Sequence, residues 1–274
     1  MQQEPRFTEG EVTAALGGPV SYLGSGTFGD TWRYGSNAVK IICGESPPGR
    51  LQREVGGLSR VSSPYVVKLI ETRTVMLRGW EWPALVFEYI PGDDVAKRIA
   101  AGRLPSVEKA EAFLRGLLTG VGHMHERVTV HRDIKPANIA LRDDDWSRPV
   151  LLDLGMARGA GEATITMNGT AVGTMMYMAP EVLSGYGQRN AADLFAVGVT
   201  VREVLSGRHP FCDPRTNPTP AEMIRLIDKG PDRLPAGVPA RVEQLLDRLT
   251  CSRKASRGSA ASCLRLLSGK EVAA

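Results

Sequence analysis

Cysteine is scarce in this chain of 274 residues: there are four, Cys43, Cys212, Cys251 and Cys263, widely spaced and without a CxxC pair. In a chain of this length such spacing reads as the reduced thiols of a cytosolic protein rather than a disulfide frame. Histidine is equally sparse, four residues with neither HExxH nor alternating His/Cys ligand spacing, so a structural zinc site is not expected. No apolar run approaches the ~20 residues that cross a bilayer. The opening MQQEPRFTEGEV is polar and acidic, unlike a secretory leader. The expectation is a cytoplasmic chain with no membrane segment, either whole or the cytosolic domain of a longer protein. No five Lys or Arg stand together, so the net charge of +4 describes a solvated surface and no nucleic-acid partner. Internal repeats and low-complexity segments are absent as well.

What is present is ordinary globular composition, 42% hydrophobic and 23% charged, enough for one large domain or two lobes sharing a cleft. Residues 19–42 read as strand, Gly-rich turn, strand, tight GSN turn and strand. SPPG breaks the chain before a short helix in RLQREVGGLSRV, and YVVKLIETRTV and PALVFEYI are further strand candidates. After PGDD the character turns helical. Phe113, Leu114, Leu117, Val121 and Met124 follow a helical period behind Ser106, a capping residue. DLFAVGVTVREVLSG is apolar nearly all round and predicts a buried helix stopped by Gly207. Thr219, Pro220 and Glu222 form a capping-box start, and two more helical stretches follow. The expected fold class is α+β, with a β-rich part over residues 1–90 and a helical part over 91–274.

The chemistry concentrates in short motifs. GSGTFG, Gly24 to Gly29, alone could be a dinucleotide fingerprint, but that reading needs a helix directly after it. DTWRY is strand-like instead, so the glycines sit in a β-hairpin, where backbone N–H groups can approach a phosphate without a Cβ in the way. Lys40 in AVK reads by itself as a side chain snorkelling to solvent, with Glu54 in the next helix as a partner that would hold it otherwise. HRDIKPAN gathers Asp133, Lys135 and Asn138 in one loop, groups that are costly to bury unpaired. Asp153 ends the strand-like PVLLD beside Leu154 and Gly155. Asn138 and Asp153 are hard oxygen donors of the kind Mg²⁺ prefers. GTMMYMAPE and DLFAVG then follow in order.

Six motifs in this order make the chain resemble the eukaryotic-type (Hanks-type) protein kinases over about residues 18–268. Lys135, two residues after the loop Asp, resembles the Ser/Thr branch, and the compact Ala/Gly/Arg-rich style suggests a bacterial source. The resemblance implies a bilobal fold and transfer of the γ-phosphoryl group of ATP to protein Ser/Thr hydroxyls, with Mg²⁺ as cofactor and Mn²⁺ as a substitute. It implies that Gly24, Gly26, Phe28 and Gly29 cover the phosphates and that Lys40, held by Glu54, contacts them. Ala38, Glu88 and Ile90 would meet adenine, and Asp94 the ribose. Asp133 would orient the substrate hydroxyl, Lys135 would stabilise the γ-phosphoryl group, and Asn138 and Asp153 would bind the metal.

By the same resemblance His131 is structural, anchored by Asp193, and Glu181 pairs with Arg257. Arg132 before the loop Asp, with Arg158, implies regulation by phosphorylation of Thr170, or of Thr166 or Thr164, through self-association of two copies. The chain also departs from the family pattern. Thr31 and Ala140 replace larger apolar contacts to adenine, and the intervals from Gly29 to Lys40 and from Lys40 to Glu54 are short. Two rival readings follow: a pseudokinase that binds nucleotide or partners only, and a small-molecule phosphotransferase. The first requires loss of Lys40, Asp133, Asn138 or Asp153, all present; the second would normally lack Lys135 and the GT…APE segment.

Overall fold

A computed structural model describes residues 4–26, 29–43, 50–152, 175–187 and 189–269, apart from the side chains of residue 50 and residues 52–54. The chain separates into two compact units, one of residues up to 62 together with 67–90, the other of residues 63–66 together with 91 onward.

The first unit is built on a five-stranded antiparallel sheet in the order β1-β2-β3-β5-β4. Its strands are β1 (Val20–Gly26), β2 (Gly29–Tyr34), β3 (Asn37–Ile42), β4 (Leu69–Leu77) and β5 (Trp80–Glu88). The expected GSN turn is present: Gly35 takes φ 59°, a value that costs a Cβ-bearing residue, and Asn37 begins β3. Helix α1 (Glu9–Leu16) packs Val12 and Leu16 into a core with Trp32, Val39, Ile41, Val75 and Val86. Strand periodicity then sends Lys40, between Val39 and Ile41, to the opposite face of the sheet. Helix α2 spans Arg50–Leu58.

Two features of this unit depart from the sequence-based expectation. The strand expected over YVVKLIETRTV begins only at Leu69, because Tyr65 and Val66 bond to the second unit's own strand: Leu151 donates to the Tyr65 carbonyl at 2.9 Å. Helix α1 was not expected, since eight residues alone cannot sustain a helix and only packing on the sheet supplies the rest.

The second unit is mainly helical, with α3 (Val95–Ala100), α4 (Val107–Glu126), α5 (Pro180–Leu183), α6 (Asn190–Ser206), α7 (Pro220–Lys229), α8 (Ala240–Thr250) and α9 (Ala260–Leu267). Ser106 caps α4 and Thr219 caps α7 with the reciprocal Glu222 bond, while Gly207 closes α6 at φ 74°, as their residue types predicted. Helix α6 is buried almost all round, as its composition implies. Gly198 permits that burial, since a Cβ there would come within 2.8 Å of Leu249 on α8. A short hairpin of β6 (Ile139–Leu141) and β7 (Pro149–Leu151) follows α4 and frames the polar loop.

Candidate active site

The loop from the end of α4 to β6 gathers a cluster of polar side chains. Lys135 Nζ donates to Asp133 Oδ2 at 2.9 Å, and Asn138 Nδ2 donates to the same oxygen at 2.8 Å and to the Asp133 carbonyl at 2.8 Å. Three of the expected site residues are therefore brought together on one carboxylate. Asn138 closes a 3₁₀ turn, with its N–H on the Lys135 carbonyl. Its commitment of Nδ2 to Asp133 leaves the amide oxygen Oδ1 as the metal-capable atom. Leu152 donates to the Asn138 carbonyl at 2.8 Å, which ties the loop to the residue just before Asp153.

Asp193, 2% exposed at the start of α6, holds this loop from below. Its Oδ2 accepts the His131 N–H at 2.8 Å and lies 2.9 Å from His125 Nε2, and its Oδ1 accepts the Arg132 N–H at 2.9 Å. Arg132 sits at φ 74°, a conformation that costs a non-glycine residue about 1–3 kcal/mol unless its surroundings enforce it. The two Asp193 bonds enforce it. His131 is fully buried, with Nε2 3.0 Å from the Leu152 carbonyl and Nδ1 accepting the Asp133 N–H at 3.3 Å. Its structural role follows from these partners. His125 escaped sequence reading, because only the fold brings it to Asp193.

The pocket at Asp133 is lined also by Ile134, Tyr177, Met178 and Ala179, so the tail of GTMMYMAPE meets the loop. Tyr177 donates to Glu203 Oε2 at 2.6 Å, and burial pushes both groups above their ordinary pKa. Burial also lowers His209 to about 4, so it is neutral near pH 7, with Nε2 3.1 Å from the Met176 carbonyl. Farther along, Arg257 makes a two-pronged bond to Glu181, 2.6 and 3.0 Å, and bonds three backbone carbonyls while 0% exposed. The pair expected from sequence is present, with Arg257 fully buried and Glu181 partly so.

In the first unit, Gly24 and Gly26 lie on β1 and Gly29 opens β2, opposite Gly26. A Cβ on Gly29 would fall 1.9 Å from the Ile41 carbonyl, so the backbone passes β3 at a distance only glycine allows. Lys40 is 6% exposed, which removes the snorkelling alternative. Ala38 pairs with Phe87 across β3 and β5. Glu88 donates its N–H to the Lys68 carbonyl and accepts the Lys68 N–H on Oε1, and Ile90 is buried. In the second unit Asp94 caps α3, accepting the Lys97 N–H at 2.8 Å, so its carboxylate already serves its own helix. Phe28, Asp153, Arg158, Thr164, Thr166, Thr170 and the side chain of Glu54 lie outside the described residues. Arg6 and Asp30, absent from the sequence-based site, meet at the Gly-rich hairpin at 2.7 Å.

Among the described residues no helix is long and apolar enough to cross a membrane. A family model described as protein kinase domain matches residues 20–266. Curated relatives include a putative CBL-interacting protein kinase 13 of Oryza sativa, 34% identical over 77% of this chain and 39% of its own length. A serine/threonine-protein kinase, drp72, of Corynebacterium efficiens is 29% identical over 82% of this chain and 44% of its own. Ribosomal protein S6 kinase alpha-4 of Mus musculus is 35% identical over 77% of this chain and 27% of its own. The chain thus spans less than half the length of these relatives.

Proposed function

This chain belongs to the eukaryotic-type protein kinase family, and on that premise we propose that it transfers the γ-phosphoryl group of Mg·ATP to Ser/Thr hydroxyls of proteins. The observation that carries the reading is the Asp133–Lys135–Asn138 constellation, clamped through the loop backbone by Asp193. The names of its relatives support the Ser/Thr assignment.

Asp133, whose side chain is partly open to solvent, accepts the hydrogen bond of the incoming hydroxyl and orients its oxygen for attack. Lys135, 2.9 Å away, meets the charge that develops on the transferred group. The amide oxygen of Asn138 fits a hard divalent cation, with Asp153 as the second ligand. When bound, the cation neutralises phosphate charge during transfer. In the first unit, Gly24, Gly26 and Gly29, with Phe28, offer backbone N–H groups to phosphate oxygens, and Lys40, paired with Glu54, offers its ammonium. Ala38, the Glu88 carbonyl and the Ile90 N–H would receive adenine. Asp94 would share its carboxylate between its cap and a ribose hydroxyl. Autophosphorylation at Thr170, or at Thr166 or Thr164, between two copies of the chain would regulate the activity.

The test is incubation of the purified chain with Mg·ATP and a generic protein substrate, with phosphosites mapped by mass spectrometry beside Asp133→Asn. Transfer in the variant should fall by about 10²–10⁴-fold while nucleotide binding persists. Equal transfer by Asp133→Asn would remove that carboxylate from the chemistry and the reading with it.

A further inference from the structure

Asp30 is a carboxylate buried to 0% exposure in β2, one residue after Gly29 and directly across from Ser25 of β1. A charge so placed is costly unless it is paired and hydrogen-bonded. Its partner comes from the chain's beginning. Arg6 donates its backbone N–H to Asp30 Oδ2 at 2.6 Å and Nη1 to Oδ1 at 2.7 Å, and Nη2 reaches the Gly26 carbonyl at 3.1 Å. Ser25 Oγ donates to Asp30 Oδ1 at 2.5 Å, and Tyr22 donates in turn to Ser25 at 2.7 Å. The segment carrying Arg6 is itself fastened down. Phe7 is buried edge-on against Trp82, and Arg78 bonds both Glu11 and the Arg6 carbonyl.

We propose that Arg6 is a positioning residue for nucleotide binding: it neutralises Asp30 at the root of the Gly-rich hairpin and fixes the Gly26 backbone there. The proposal rests on the reading that this hairpin carries the phosphates. An uncompensated carboxylate beside those glycines would repel a triphosphate through a poorly screened medium. With Arg6 in place the hairpin meets an anionic ligand as a neutral, fixed frame. The N-terminal segment therefore contributes to affinity without touching the ligand.

The experiment compares the full chain with Arg6→Ala, Arg6→Ala/Asp30→Asn and Val12→Ala. It measures the Kd of Mg·ATP by calorimetry, the steady-state constants, and melting. Arg6→Ala should raise Kd and KM for ATP about tenfold, equivalent to about 1.4 kcal/mol. Its kcat should stay within about twofold, the pattern of lost binding rather than lost chemistry. Removing the orphaned charge in Arg6→Ala/Asp30→Asn should restore Kd to within about threefold of the native value. Val12→Ala loosens helix α1, which follows Arg6 in the chain, and should lower the melting temperature without moving Kd. An unchanged Kd in Arg6→Ala, or a double variant as weak as the single one, would overturn the proposal. Should Arg6→Ala not fold, Arg6→Lys, which cannot span Asp30 and Gly26 together, carries the same Kd comparison. If the native chain binds no Mg·ATP, the kinase reading fails. Hydrogen exchange of residues 20–34 then decides whether Arg6 fixes the hairpin: faster exchange in Arg6→Ala than in Val12→Ala supports it, and equal exchange sinks it.

Discussion

The helical unit and the sheet unit solve the same problem, holding polar groups at a site, by different means. In the helical unit the work falls to side chains buried in pairs: Asp193 under the loop, Glu181 with Arg257, Tyr177 with Glu203. In the sheet unit it falls to backbone and register. Gly29 lets β2 pass against the Ile41 carbonyl, and strand alternation turns Lys40 away from the core that Val39 and Ile41 fill. Arg6–Asp30 is the place where the sheet unit borrows the other strategy. On the proposed function the difference has a chemical sense. Orienting a hydroxyl takes side-chain atoms fixed by their neighbours, whereas receiving phosphates takes N–H groups that a tight, glycine-bearing hairpin can offer.

Perturbations of each unit test that contrast. The largest stability effect should come from Glu181→Ala, which strands the fully buried Arg257 guanidinium; a loss of about 3–5 kcal/mol is expected by denaturant unfolding. A cost below about 1 kcal/mol would make the pair no better than a surface one. Gly29→Ala should cost the sheet unit about 2–3 kcal/mol, since β2 must move off β3 to admit the methyl group. A well-folded Gly29→Ala with native nucleotide affinity would show that close approach is not what the hairpin needs.

Acid should act through the helical unit. His209 titrates at about 4 in the fold against an ordinary 6.5. Below about pH 6.5 the unfolded chain therefore takes up a proton that the folded chain refuses, and stability is lost as pH falls toward 4. From pH 7 to pH 4 this amounts to about 3 kcal/mol. His209→Gln should flatten the acid limb of a pH–stability curve by that much. Glu203, pushed upward by burial, acts in the other direction, its share being lost as pH rises past the ordinary carboxylate range. A His209→Gln curve parallel to the native one would contradict the assignment. The smallest effects belong to the two Thr–Glu capping boxes, at Thr8 and at Thr219. Thr8→Ala and Thr219→Ala should each cost about 1 kcal/mol, measured by melting; a much larger cost at Thr8 would mean that α1 depends on its cap more than on the sheet beneath it.

Much of this was legible in the residues themselves. Ser106, Thr219 with Glu222, and Gly207 mark helix ends because their side chains, or the lack of one, satisfy orphaned backbone groups locally. The order of the motifs located Asp133, Lys135 and Asn138, and the fold places all three on one carboxylate. Helix α1 went unread although Thr8, Glu11 and Gly17 carry the same end signals. At eight residues those signals do not sustain a helix, and Val12 and Leu16 gain their buried face only against a sheet made by residues far along the chain. The start of β4 was misjudged because Tyr65 and Val66 look like strand residues but bond to Leu151.

Sequence alone determined the chemistry available: glycines at a hairpin, one Lys on a strand, and a carboxylate, an ammonium and an amide within six residues. Those follow from residue type and short spacing, which local backbone geometry translates directly. Tertiary structure decided what holds them. That His125 would reach Asp193 and that Arg6 would cover Asp30 depends on contacts 68 and 24 positions apart. Such contacts arise from packing and from the need to pair every buried charge, and a linear pattern does not reveal which distant residue will answer it.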